Sequence, residues 1–312
     1  MFNWQYYLNK YPDLRQIGIH TEQQAIQHWN LHGEKEGRIP SQLLECYNIN
    51  TIDKNKINST CKSGGRLGNM FIRNMVSSII AYKNRLLFVY DRLEEFKQLG
   101  IDSLLFTGTN TYDDTLLITD NIINEVLFND TFFNKYVKDK NILFKIHDYN
   151  PFNIYDHTWA QTKEIALHIK NTIYDNRDKI IEKNPYKERY NNDVFVHVRL
   201  GDIVELNLYT SYEYYDKALS QITFDKGYIS SDTISHEICT TLINKYNLIV
   251  YNNTEIDTIQ FASTCKNIVL STGTFSWMIG IFGFFSNIYY PETKVIWHGD
   301  IFIYPEWTMI NY

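Results

Sequence analysis

Three short stretches of this 312-residue chain combine residue types that can hold an anionic group. The first, Ser63-Gly-Gly-Arg-Leu-Gly-Asn69, precedes a helical run from Met70 to about Tyr82 with Phe71, Met75, Ile79 and Ala81 as its apolar positions. Glycines let backbone approach a ligand, and a helix N-terminus offers free amides with a partial positive charge. The Gly-Lys-Ser/Thr ending of a Walker loop is absent, so on its own this stretch reads first as a plain tight turn. The second, His197-Val-Arg-Leu-Gly-Asp202, ends the most strongly apolar strand pattern in the chain. Side-chain direction repeats every two residues along a strand, so His197 and Arg199 share a face and can meet one ligand beyond it. Guanidinium is the side chain best matched to a pyrophosphate, although an Arg199–Asp202 pair could also serve structure alone. The third, Ser271-Thr-Gly-Thr-Phe-Ser-Trp277, follows a strand and opens an apolar helix spanning Trp277 to Phe285. Its hydroxyls and amides can seat a phosphate or merely cap a buried helix.

The surrounding pattern must place these stretches. From Leu86 onward, strand-like runs alternate with helical ones, which points to α/β layers with a largely parallel sheet. Leu86–Tyr90, Thr115–Thr119 and Ile142–Ile146 are candidate strands of a first half. A polar helical stretch around Gln161–Tyr190 separates them from a second half. That half has strands at Asp193–Arg199, Gly227–Ser231, Leu248–Tyr251 and Asn267–Leu270. Short apolar runs of this kind suit strands buried on both faces, and ligands of open α/β sheets sit beyond the carboxyl ends of the strands.

Residues 1–40 read as a separate helical unit. Phe2, Tyr6, Tyr7, Leu14 and Ile17 recur near helical spacing before Gly18. A second helix follows, with a capping box at Thr21 and Gln24, an apolar side of Ala25, Ile26, Trp29 and Leu31, and a stop at Gly33, Gly37 and Pro40. Such a unit is expected to dock on the body of the protein, with polar Asn48–Cys61 as the linker.

Composition bounds the chemistry. With 44% hydrophobic residues and 21% charged residues the chain can bury a full core, and its formal net charge of −6 argues against nucleic acid as partner. No Asp-x-Asp occurs, and Asp113-Asp114 and Glu255-Ile-Asp257 are unconvincing divalent-ion sites, so no metal is expected. The hydrolase elbow, zinc spacing and dinucleotide glycine fingerprint are also missing. Cys46, Cys61, Cys239 and Cys265 form no C-x-x-C pair and are expected as reduced, buried thiols. The opening Met-Phe-Asn-Trp-Gln-Tyr-Tyr lacks the pattern of a signal peptide, and no apolar run is long enough to span a bilayer. A cytoplasmic location is expected, in which the sequons at Asn58, Asn129 and Asn252 would be incidental.

In order, Gly-Gly-Arg-Leu-Gly-Asn (64–69), His-Val-Arg-Leu-Gly-Asp (197–202), Tyr-Ile-Ser-Ser-Asp (228–232) and Asp257 with Cys265–Trp277 resemble the α-1,2-fucosyltransferase family. The tail Tyr290-Pro-Glu and Pro305-Glu-Trp307 also fits, so the resemblance covers about residues 59–312. It implies a GT-B-like α/β fold of two Rossmann-like domains facing a cleft. Residues 59–160 would form the acceptor side and residues 161–312 the nucleotide-sugar side. It also implies GDP-fucose as donor substrate, a glycan hydroxyl such as that of galactose as acceptor, inversion at the anomeric carbon and no required cofactor or metal. Under it Arg199 would hold the β-phosphate, with His197 contacting the nucleotide or orienting Arg199. Thr274, Phe275 and Ser276 would seat the pyrophosphate, Asp257 would read guanine, and Asn69 would face the donor from across the cleft. Asp202 is the foremost candidate proton acceptor, with Glu205 and Asp232 as others by location.

The chain departs from that pattern where Leu200 replaces a second arginine and where Met70 replaces a glutamine after Asn69. The departures leave open another donor, such as a rhamnosyl nucleotide, or an inactive glycan-binding protein. The first forty residues resemble a module found beside glycosyltransferases in bacteria and giant viruses.

Overall fold

The computed structural model describes residues 4–33, 35–36, 38, 66–144, 159–292 and 301–312. Readings made on Phe2, Gly37, Pro40, Cys46, Asn58, Cys61, the 48–61 linker, Ser63–Gly65 and residues 145–146 lie outside the described residues.

The N-terminal unit comprises α1 (Trp4–Lys10), α2 (Pro12–Gln16) and α3 (Glu22–His28), followed by a π turn at Trp29–Gly33. Thr21 and Gln24 form the expected capping box: the Thr21 side chain accepts from the Gln24 amide while the Gln24 side chain accepts from the Thr21 amide. Tyr7, Leu8, Leu14 and Ala25 make a small core of their own, lined by Trp4, Tyr11, Ile19 and Trp29. Ile17, Ile26 and Leu31, expected on the buried side, are exposed. With helices this short, few positions can turn inward at once.

The first half of the body contains α4 (Leu67–Asn84), α5 (Leu93–Gln98), β1 (Thr115–Ile118), α6 (Ile123–Phe128), α7 (Asp130–Tyr136) and β2 (Asn141–Phe144). β1 and β2 pair in parallel. α4 begins three residues earlier than its apolar pattern suggests, and fourteen of its eighteen residues are buried. It is therefore a helix covered on most sides and not an amphipathic surface helix. Leu86–Tyr90 does not form the expected strand. Leu86, Phe88 and Tyr90 are buried and Leu87 and Val89 exposed, so the alternation is present. Pairing, however, is confined to isolated bridges at Leu86, which pairs in parallel with Asn110, and at Val89, and the Phe88 amide between them donates to the Thr107 hydroxyl.

The second half contains α8 (Lys163–Asp175), α9 (Arg177–Lys183), β3 (Asn191–Val198), α10 (Tyr212–Leu219), β4 (Gly227–Ser231), α11 (Glu237–Tyr246), β5 (Ile249–Val250), α12 (Glu255–Ala262), β6 (Cys265–Val269), α13 (Thr274–Phe282), β7 (Asn287–Pro291) and β8 (Thr308–Ile310). The six strands form one sheet in the order β5-β4-β3-β6-β7-β8, and every neighbouring pair is parallel. The α/β class and the parallel sheet are as the sequence pattern predicts.

Alternation along β3 divides the core between the two faces of this sheet. Val194, Val196, Val198 and Leu200 pack with residues of α10 and α11, including Tyr214, Tyr215 and Leu242. Phe195 turns the other way, into a cluster that also takes in Phe71, Ile256, Phe261 and Trp277. That cluster runs from α4 through β1 and β2 to α12 and α13, so one apolar interior is shared by both halves. The chain leaves β3 toward β4 and β5 on one side and returns to place β6, β7 and β8 on the other. The order thus reverses between β3 and β6, and a crevice opens at the carboxyl ends of strands flanking such a reversal.

Candidate active site

His197 and Arg199 leave β3 at that point of reversal, on the face that carries Phe195. Ser271 to Ser276 leave β6 beside them. His197 is buried, its Nδ1 lies 2.6 Å from the Ser276 hydroxyl, and the Phe275 ring stands edge-on at 5.2 Å. Burial and the neighbouring Arg199 charge push the His197 imidazole down to about 3, so it is neutral at ordinary pH. The two motifs read separately from the sequence therefore meet through a hydrogen-bonded pair.

Arg199 carries the charge of the site. It pairs with Asp202 and with Asp232; the Asp232 contact is made by Nη1 as an ion pair without hydrogen-bond alignment. Burial, and then the proximity of Arg66, lower its pKa. Asp232 also accepts from the Leu200 amide at 2.9 Å, which ties the backbone after β3 to the end of β4. Gly201 has φ +37, and a Cβ there would meet the Arg199 guanidinium and, at 2.6 Å, Asp232 Oδ2. Only glycine fits beneath this ion pair without displacement.

Arg66 is the residue the sequence reading passed over, although it stands inside the first glycine motif. It stands at the residue before α4 and reaches Asp232 at 3.2 Å and Asp202 at 3.3 Å. A second guanidinium thus joins Arg199 from the other half of the chain. Leu200, where the resembled family carries arginine, is wholly buried on the opposite sheet face. Although partial burial opposes it, the charge and hydrogen bond of Arg199, with Arg66, hold the Asp202 carboxyl below its usual range. Glu205 is exposed, beyond the short turn at Gly201–Ile203.

The N-termini of α4 and α13 abut. A Cβ on Gly68 would meet the Thr274 carbonyl carbon at 2.5 Å and the Phe275 amide at 2.7 Å, so glycine permits this approach. Across the junction Thr274 donates to Asn69 Oδ1 at 2.8 Å, and Gln161 donates to the same oxygen at 3.0 Å. Met70 is buried in the helix, and the amide that touches Asn69 comes from Gln161. Gly273, at φ +99, has open space where a side chain would stand, and α13 has no side-chain cap. Its first amides are left available to an anion.

Asp257 stands apart from this cluster, in the first turn of α12 after β5. Its carboxylate accepts from Tyr186 at 2.7 Å, from Tyr251, and from Asn253 at 2.8 Å. Tyr251 stacks on Phe261 with ring centroids 4.1 Å apart, and burial together with Asp257 raises its pKa, so its phenol remains a donor. The structure therefore brings His197, Arg199, Asp202, Thr274, Phe275, Ser276 and Asn69 together at one junction. It places Asp257 on a flanking element, among tyrosines that no sequence motif announced.

No protein family and no curated protein matches the chain. Among solved structures, it is similar to a crystal structure of POFUT1 in complex with GDP-fucose, at 10% identity and a TM-score of 0.35 over 72% of this chain and 93% of that one. A structure of POFUT1 in complex with GDP gives 10% identity and a TM-score of 0.36 over the same shares. Likeness at this level assigns no activity to the chain. Among the described residues no group of acidic, histidine or cysteine side chains could hold a metal ion, and no helix is long and apolar enough to cross a membrane.

Proposed function

We propose that the chain is a GT-B-like, inverting glycosyltransferase that moves L-fucose from GDP-fucose to a glycan hydroxyl, with α-1,2 linkage to galactose. The observation that carries this reading is the meeting of Arg199 and Arg66 beside the free amides of α13, at the reversal point of the sheet. The motif resemblance over residues 59–312 supplies the donor and the linkage.

In this reading the acceptor hydroxyl attacks the anomeric carbon from the face opposite GDP, through an oxocarbenium-like transition state. Negative charge gathers on the departing pyrophosphate, and fixed donors aimed at that charge lower the barrier. Arg199 and Arg66 would supply guanidinium donors, Ser276 and the α13 amides neutral ones, and neutral His197 would keep the Ser276 hydroxyl in place. No step is assigned to a metal ion. Asp202 and Asp232 serve as counter-ions that the pyrophosphate replaces. A carboxylate held ionised by arginine is a weak base, and a dissociative path needs none until late. Guanine would take over the place of Asn253 on Asp257, because its amino and ring N–H groups suit a carboxylate acceptor.

Incubating the chain with GDP-fucose and a galactoside panel, followed by linkage analysis, tests this directly. An α-1,2-fucosylated product is expected. Release of fucose only to water, or transfer only from UDP- or dTDP-sugars, would refute the donor and linkage assignment.

A further inference from the structure

The segment Trp159–Thr162 runs past the start of α4 and is pinned along its length. The Asp120 carboxylate, just after β1, accepts from the Trp159 amide at 3.0 Å and from the Ala160 amide at 2.7 Å, one oxygen to each. Ala160 holds a left-handed φ of +54, a conformation that a side-chain-bearing residue keeps only when neighbours impose it. The Trp159 ring lies under the Arg73 guanidinium, 4.9 Å away, and the Thr162 hydroxyl donates to Asn124 at 2.7 Å. Between these anchors stands Gln161, only 9% exposed.

Gln161 uses one end of its amide. Its Nε2 donates to Asn69 Oδ1, whereas its Oε1 is buried and finds no hydrogen-bond partner among the described residues. A buried amide with one end unsatisfied is costly, and an apolar side chain would fill the space without that cost. What glutamine contributes here is the donor end. Together with Thr274 it occupies the Asn69 carbonyl oxygen, so the Asn69 amide hydrogens are the end left to a ligand.

We infer that Gln161 is a positioning residue for sugar transfer. It fixes which end of the Asn69 carboxamide faces the donor, and Asp120 holds it there through the backbone of Trp159 and Ala160. This rests on the proposed GDP-sugar function. It assigns Asp120 and Gln161 a part in that function which no motif in the sequence indicated.

A double-mutant cycle tests it, using Gln161→Glu and Asn69→Ala singly and together, with GDP affinity, kcat, KM and melting temperature measured for each. An ionised glutamate offers only acceptors and forces the Asn69 carboxamide to turn over. Gln161→Glu is expected to lose between about tenfold and a hundredfold in kcat. In the Asn69→Ala background the same change is expected to cost nothing further, because its effect passes through Asn69. Gln161→Met, which fills the space without donating, should fall between wild type and Gln161→Glu. Additive losses in the cycle, or full activity in Gln161→Glu, would overturn the inference while leaving the GDP-sugar reading intact. A wild-type chain that binds no GDP would overturn both.

Discussion

Arg66 and Arg199 meet on a single carboxylate oxygen, Asp232 Oδ2, although 133 positions separate them in sequence (199 − 66). One guanidinium arrives from the start of α4 and the other from the end of β3. The charge centre is thereby assembled across the two halves of the chain. Neither half has both arginines alone.

That arrangement ranks the two arginines. Arg199 is largely buried and Arg66 about half exposed, so the former acts in the lower dielectric. Arg199→Ala is expected to lose about a hundredfold or more in kcat/KM and Arg66→Ala about tenfold. Steady-state kinetics on both variants checks this, and wild-type activity in Arg66→Ala would remove it from the site.

Gly201→Ala places a methyl group against Asp232 and Arg199 in a left-handed backbone position. It is expected to cost about 1–3 kcal/mol of stability and to weaken GDP binding at the same time. Calorimetric unfolding and GDP titration measure the two effects, and loss of neither would mean that the ion pair shifts freely.

His197 should remain neutral down to pH 5. Its folded pKa of about 3 lies below the usual 6.5, so its contribution to stability is complete above pH 6.5 and is lost as pH falls toward 3. At pH 5 the wild type should have lost about 2 kcal/mol relative to His197→Asn, compared with pH 7. Denaturant unfolding at the two pH values gives the difference, and nitrogen chemical shifts report the ring's charge directly. A ring that titrates near 6.5 would contradict its burial.

Asp120 should show the opposite sign. Burial raises its carboxyl to about 6, against the pull of the Trp159 and Ala160 amides and of Arg73. A raised carboxyl pKa means the folded state binds the extra proton, so its contribution falls as pH rises from about 4 to 6 and then levels. The stability of wild type minus that of Asp120→Asn is expected to drop by about 2 kcal/mol between pH 4 and 7. A difference independent of pH would show that Asp120 is not buried as described.

Sequence pattern carried the centre of the second half well because β3 is buried on both faces and reads as an apolar run at Val194–Val198, whereas the edge strand β5, Ile249–Val250, is exposed. Period two placed His197 and Arg199 on one face and Leu200 on the other, and the packing of Leu200 with Tyr214 and Tyr215 agrees. Leu86–Tyr90 misled for the converse reason. Alternation reports which residues turn inward, whereas a strand needs a continuous partner, and the loop around Thr107–Asn110 bonds only the Arg85–Phe88 end of this stretch. Gln161 and Asp120 were illegible because single polar residues in a non-repeating segment carry no period. Their roles come from contacts with residues 92 and 39 or 40 positions away.

The most direct test is calorimetric titration of the wild-type chain and Arg199→Ala with GDP, UDP and dTDP in the presence of EDTA. Saturable binding of GDP alone by the wild type, lost in Arg199→Ala, is the expected result. Equal or tighter binding of UDP or dTDP, or GDP binding indifferent to Arg199→Ala, would contradict a guanine-specific, arginine-held site for the donor.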